Sequence, residues 1–198
     1  INNCTESGFA KGANTGLSLF NVEGAENVTV VVDGSTWKGN GLFVDAAGNP
    51  TVSSQSALTE AAKTASEITL LAGEYTMPAI NNKEVTIVGS RDVVLTVSKP
   101  NMTGTDVTLE GITVKGSGYA TGVQHVNTVT YNNVKVVGEM CLYGEAVTFN
   151  NCEFELANGK YIWTYGCKNS TFNNCVFNTA GKAILVYNEG AGACEVAV

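Results

Sequence analysis

At 198 residues, 44% apolar and 15% charged, the chain has material for the core of one ordinary domain and is not a disordered segment. Eighteen acids against eleven bases give a net charge of −7. That balance argues against nucleic-acid binding through phosphates and against an anionic membrane surface, and it repels an acidic polymer such as pectate unless a local patch or bound cations offset it. No apolar run approaches the roughly 20 residues of a membrane span, so no membrane insertion is expected.

The chain opens on Ile1-Asn2-Asn3-Cys4, which has neither the basic head nor the apolar stretch of a signal peptide, so a removed leader or a fragment is expected. Residues 27–34, "NVTVVVDG", read as a strand and its turn. Residues 45–51 are linker-like, with Gly48, Asn49 and Pro50. Ala57, Leu58, Ala61, Ala62 and Ala65 then fall at helical spacing, with Ser54 or Ser56 as N-cap, which predicts a short capping helix near residues 54–66.

From residue 85 onward the sequence repeats itself. Val85-Thr86-Ile87-Val88-Gly89 aligns with Val107-Thr108-Leu109-Glu110-Gly111 and with Val129-Thr130-Tyr131-Asn132-Asn133. Val147-Thr148-Phe149-Asn150-Asn151-Cys152 and Ser170-Thr171-Phe172-Asn173-Asn174-Cys175 continue the series. The third residues stand at 87, 109, 131, 149 and 172, in steps of 22, 22, 18 and 23. Each set alternates apolar residues with Thr, as a strand with one buried face does, and a second alternating piece often follows after Glu-Gly or Asn-Asn. Strand, bend, strand and loop at this period predict an all-β fold, a right-handed parallel β-helix (solenoid), in which one coil buries its inward residues only by stacking on its neighbours. Ile87, Leu109, Tyr131, Phe149 and Phe172 then form one inward column, and the paired asparagines a ladder at the bend. A β-sandwich with regular strands is the alternative, but it gives no reason for the bend residues to repeat.

A short helix, then "ITLLAGEYTM", then "NNKEVTIVGS" resembles the opening of pectate-lyase-like β-helix domains, in which a helix caps the first coil. The resemblance covers about residues 52–198 and extends to β-helix repeat proteins of gut bacteria and phages. It implies an extracellular, cell-surface or virion-fibre setting and a fold that often hosts polysaccharide lyases and hydrolases, although fold alone does not confer activity.

The two ends read as halves of one rung. Cys194-Glu195-Val196-Ala197-Val198 followed by Ile1-Asn2-Asn3-Cys4 reproduces the pattern of residues 167–175: Cys, four residues, a large apolar residue, Asn-Asn, Cys. Residues 1–44 are therefore expected to be terminal rungs that complete a neighbouring unit or the chain's own open end. Residues 45–51 are the linker and residues 52–198 the β-helix. The expected assembly interface comprises Ile1, Asn2, Asn3, Cys4, Cys194, Val196 and Val198, and the expected partners are copies of the chain itself, head to tail.

Candidate chemistry is sparse. The four Asp are Asp33, Asp45, Asp92 and Asp106, none in an Asn-Thr-Asp or Asp-Asp motif, and Arg91 and His125 are the lone residues of their types. Glu139, Glu145, Glu153 and Glu155 could project from neighbouring coils, but a solvated face is the plainer expectation. The chain has no CxxC pair, and the cysteine columns (Cys4, Cys152, Cys175; Cys167, Cys194) include no His or carboxylate. Stacked free thiols are expected rather than cross-coil disulfides, and no metal or cofactor. Tyr161, Trp163 and Tyr165 alternate with Ile162 and Thr164, so all three point to one side of a strand. Inward, they are core, with Tyr143 and Tyr187 stacking on them, and this is the expectation. Outward, they form a stripe that could stack on sugar rings. The leading functional expectation is a non-catalytic extracellular structural or adhesive module (a filament segment, adhesin or phage fibre). The alternative is a polysaccharide-active enzyme or a carbohydrate-binding β-helix.

Overall fold

A computed structural model describes residues 28–32, 34–116, 126–187 and 194–198. The first described strands are β1 (Thr29–Val32), β2 (Ser35–Lys38), β3 (Leu42–Val44) and β4 (Pro50–Val52), followed by helix α1 (Gln55–Ala61). Pairs of strands then alternate between two sheets: β5 (Glu67–Leu70) and β6 (Gly73–Thr76); β7 (Glu84–Val88) and β8 (Val93–Thr96); β9 (Asp106–Glu110) and β10 (Thr113–Lys115); β11 (Thr128–Asn132) and β12 (Lys135–Val137); β13 (Met140–Asn150) and β14 (Glu153–Leu156); β15 (Ile162–Asn173) and β16 (Val176–Thr179). Two short pieces, β17 (Ile184–Leu185) and β18 (Glu195–Ala197), both pair with β15. The odd-numbered strands from β5 onward and β18 belong to a twelve-stranded sheet and the even-numbered ones from β6 to β16 to a six-stranded sheet. Both stacks are parallel, which makes the protein a parallel β-solenoid of six two-strand turns and a partial seventh.

The predicted columns are present. Ile87 pairs with Leu109, Leu109 with Tyr131, Tyr131 with Phe149 and Phe149 with Phe172. All five are almost fully buried. The Tyr131 and Phe149 rings stack with centroids 4.5 Å apart, Phe149 and Phe172 at 5.0 Å, and Phe154 and Phe177 on the facing sheet at 4.5 Å. Parallel in-register pairing sets like over like, so flat rings pile up face to face at about the strand spacing.

The bend between the two sheets is equally regular. Gly111, Asn133, Asn151 and Asn174 take the left-handed conformation, with φ of 73°, 51°, 54° and 51°. Asparagine and glycine are the residues that enter this region at low cost. Side-chain amides link the turns: Asn150 Nδ2 donates to Asn132 Oδ1 (2.9 Å), Asn173 Nδ2 to Asn150 Oδ1 (2.8 Å) and Asn174 Nδ2 to Asn151 Oδ1 (2.7 Å).

Helix α1 follows its sequence signals. Ser54 is the N-cap and its Oγ accepts from Ala57 N at 3.1 Å, while Ala57, Leu58 and Ala61 turn into the core beside β4 and β5. It covers one end of the stack, where the solenoid would otherwise expose its inward residues.

The segment before the helix differs from the expected rungs. β1–β2, β2–β3 and β3–β4 pair antiparallel, and only β4 joins β5 in parallel. The residues read as a linker form the β3–β4 hairpin, in which Asp45 Oδ1 accepts from Ala47 N (2.9 Å) and Asn49 N (2.8 Å). Thus residues 29–44 sit at the helix-capped end of this chain's own stack. The reason is turn chemistry: Asp33-Gly34, Asn40-Gly41 and Gly48-Asn49 punctuate the strands at hairpin spacing. Ile1, Asn2, Asn3, Cys4, Asp33 and His125 lie outside the described residues.

Candidate functional site

The return from the second sheet to the first is where the turns differ. β13 and β15 run 11 and 12 residues, whereas their neighbours β9 and β11 have five. The extra residues precede the shared register, because Thr128 pairs with Ala146 and Ala146 with Asn169. The leading halves of β13 and β15, with β17 beside Ile162 and Trp163, therefore form an additional face at this corner.

On that face the orientation of the aromatic row is settled, and it reverses the core expectation. Ile162 and Thr164 are buried, whereas Tyr161, Trp163 and Tyr165 are half-buried on the outer side. Register decides this: Ile162 pairs with fully buried Met140 on one side and with Ile184 on the other, so the inward column takes the even-numbered positions. The three rings lie roughly parallel, with Tyr161 and Trp163 centroids 5.6 Å apart and Trp163 and Tyr165 6.1 Å apart. A second row crosses the first at Tyr165. Tyr187 lies 6.4 Å away and roughly parallel, and Tyr143 meets it edge-on at 6.2 Å. Gly166 makes room for this crossing, because a Cβ there would stand 2.8 Å from Tyr143 Cδ1. A β-bulge between Cys141 and Tyr143 re-aims the Tyr143 side chain. The Lys182 ammonium sits over the Tyr161 ring at 4.6 Å and that of Lys99 over Tyr143 at 5.6 Å.

The four carboxylates singled out in the sequence each bond a side chain of an adjacent turn. Glu139 is held by Lys160 (3.0 Å), Glu145 by Lys168 (2.7 Å) and Glu155 by Lys135 (2.7 Å), while Glu153 accepts from Asn178 Nδ2 (3.1 Å). Each pair joins adjacent turns. Among the described residues, no three His, Cys, Asp or Glu side chains gather as a metal site, and no helix is long and apolar enough to cross a membrane.

The five described cysteines are free thiols, Cys152 and Cys175 in one column as expected. Burial pushes the Cys141, Cys152 and Cys167 thiols up to about 11 and raises Cys175 as well, so they stay protonated and unreactive near neutral pH. Their Sγ–H groups are used locally: Cys152 donates to Tyr131 O (3.3 Å) and Cys175 to Phe149 O (3.6 Å).

Comparison with protein-family models, with curated proteins and with solved structures found no match.

At the far end of the stack, Glu195, Val196 and Ala197 pair with Asn169, Ser170 and Thr171. This register is one residue off the alignment that matches Cys194 to Cys167. It sets Val196 on the inward column over buried Ser170 and points Val198 toward the Phe172 column, in the place the alignment gives to Ile1. A groove of about 410 Å³ runs beside the pair, lined by Asn169, Ser170, Thr171, Glu195, Val196 and Ala197. Exposed large apolar side chains concentrate on the outermost elements. Val28 and Val31 belong to β1 and its approach, Val176 to β16, and Val186, Tyr187 and Val198 to the partial seventh turn. Parity in the sequence placed Tyr161, Trp163 and Tyr165 on one side of the strand without choosing which side, and nothing local marked the bulge that brings Tyr143 to the aromatic face.

Proposed function

We propose that the chain is a non-catalytic structural and adhesive module of the pectate-lyase-like, right-handed β-helix kind. It works outside the cell, on a cell surface or in a virion fibre, and is joined end to end with copies of itself as a filament or tandem array. The observation that carries this reading is the placement of exposed apolar surface at the two ends of the stack, with Val198 at 87% exposure and Val31 at 52%. Soluble proteins avoid leaving strand edges with apolar side chains uncovered, and a β-solenoid covers them most directly by continuing the stack. Cys194, Val196 and Val198 supply one side of the joint. Residues 1–4 of the next unit are the proposed other side.

The test is size-exclusion chromatography with electron microscopy on the intact chain, a Val198→Lys variant and a chain lacking residues 1–44. Fibres or higher oligomers are expected from the intact chain and are lost in both variants. Val198 is exposed, so its substitution leaves the fold's circular dichroism unchanged. An intact chain that stays monodisperse and monomeric at high concentration overturns the non-covalent joint.

A second reading, a carbohydrate-binding β-helix, is favoured by one observation: the outward aromatic rows at Tyr161, Trp163 and Tyr165. Sugar C–H groups carry partial positive charge and pack on the electron-rich ring faces, and aromatic clusters left at a surface commonly mark binding sites. The two readings are compatible, because the aromatic face lies on the side of the rod.

A further inference from the structure

We propose that the Asn158-Gly159 turn, at the edge of the aromatic face, is a site of spontaneous conversion to aspartate and isoaspartate, with water as the only co-reactant. The Asn-Gly dipeptide occurs twice in the chain, at Asn40-Gly41 and at Asn158-Gly159. The two settings are opposite, and the difference selects the second.

The chemistry is a ring closure. The glycine backbone nitrogen, once deprotonated, attacks the asparagine Cγ. The N–Cγ bond forms, the Cγ–Nδ2 bond breaks, and ammonia leaves with the proton. Water then opens the cyclic imide. Attack at Cγ yields aspartate; attack at the main-chain carbonyl carbon yields isoaspartate, whose backbone runs through Cγ. Nothing is oxidised or reduced. The closure needs a backbone nitrogen free of hydrogen bonds, a side chain free to swing over it, and no Cβ on the next residue to crowd the approach.

Asn158 meets all of these conditions. Residues 157–160 form an exposed turn, closed by Lys160 N donating to Ala157 O at 2.9 Å. Gly159 takes φ of 76° there. Neither Gly159 N nor the Asn158 side-chain amide has a hydrogen-bond partner among the described residues. Asn40 is pinned instead. Its Nδ2 donates to Glu60 Oε2 (2.7 Å), its Oδ1 accepts from Leu42 N (3.2 Å), and Gly41 N donates to Lys38 O (3.0 Å). Closure at Asn40 must first break these bonds, one of them to a carboxylate, so its rate in the folded chain is expected to be roughly tenfold or more below that of Asn158. The product changes the edge of the face. A carboxylate arises two residues from Lys160, whose ammonium already holds Glu139 at 3.0 Å, and isoaspartate adds a carbon to the main chain ahead of Tyr161.

The experiment is peptide mapping by mass spectrometry, with enzymatic methyl labelling of isoaspartate, on the full chain held at mildly alkaline pH both folded and in denaturant. In denaturant both asparagines are expected to convert at similar rates, which sets the intrinsic speed. In the folded chain Asn158 should stay close to that speed and Asn40 fall roughly tenfold or more below it. Asn158→Gln, at an exposed position and with a side chain that closes its ring slowly, should remove the label from the folded chain. An Asn158 that remains an amide in the folded chain while it converts in denaturant overturns the proposal, and so do equal folded-state rates at Asn40 and Asn158.

Discussion

The two corners of the solenoid obey different rules. At the asparagine corner four successive turns make the same bend, with one residue in the left-handed region, and side-chain amides link the last three to one another. At the return corner the turns share no motif, strand lengths vary, and one face displays crossed aromatic rows under two lysines. The contrast separates what holds the rod together from what it presents. A position repeated on every turn answers to its neighbours above and below, whereas a position free of that constraint can answer to a ligand.

The comparison breaks most severely if the constrained side proves tolerant. Phe149 is fully buried between two stacked rings, so Phe149→Ala is expected to cost about 3–5 kcal/mol in urea unfolding. Asn151 has φ of 54° and accepts an amide from the next turn. Asn151→Val places a β-branched residue in the left-handed region and removes the ladder acceptor, an expected loss of about 2 kcal/mol, whereas Asn151→Gly should keep most of the stability. Equal effects of Val and Gly would mean the backbone conformation is not what the asparagine provides. Alkaline titration sharpens the picture. The Cys141, Cys152 and Cys167 thiols ionise near 11 in the folded chain and near 9 when unfolded, because burial disfavours the thiolate. Stability from this source is fully present below pH 9 and declines as pH rises through 11, read as a falling denaturation midpoint. The smallest effect belongs to the return corner, where the exposed Lys168–Glu145 pair, 2.7 Å apart, should yield less than about 0.5 kcal/mol on Lys168→Gln.

The regular side was the legible side. Five repeats of an apolar–Thr–apolar pattern followed by Gly or Asn fixed the inward column, the bend and the stacking partner of each ring, because parallel in-register pairing converts sequence period directly into spatial neighbours. Ser54 and the Ala57, Leu58, Ala61 spacing fixed the helix. Residues 29–52 misled because a half-buried strand alternates whether its neighbour runs parallel or antiparallel. The direction was written in the spacing of Asp33-Gly34, Asn40-Gly41 and Gly48-Asn49, each separating short strands at hairpin distance. The aromatic row at 161–165 was readable as one-sided but not as outward, since Ile162 and Thr164 offer as plausible an inner face as the rings do. Only the pairing of Ile162 with Met140 chooses between them.

The amide ladder at the asparagine corner also bears on how such a rod changes length. Apart from Arg91, which reaches two turns along to Asn133 Oδ1 (2.9 Å), the amide links at the last three bends join neighbouring turns only, so a duplicated stretch of about 22 residues can slot between two of those turns and find its bonds ready-made. Every such insertion moves whatever the distal end carries outward by one strand spacing, about 4.8 Å. Reach can thus be tuned in fixed increments by gene duplication, with no redesign of the contacts on either side.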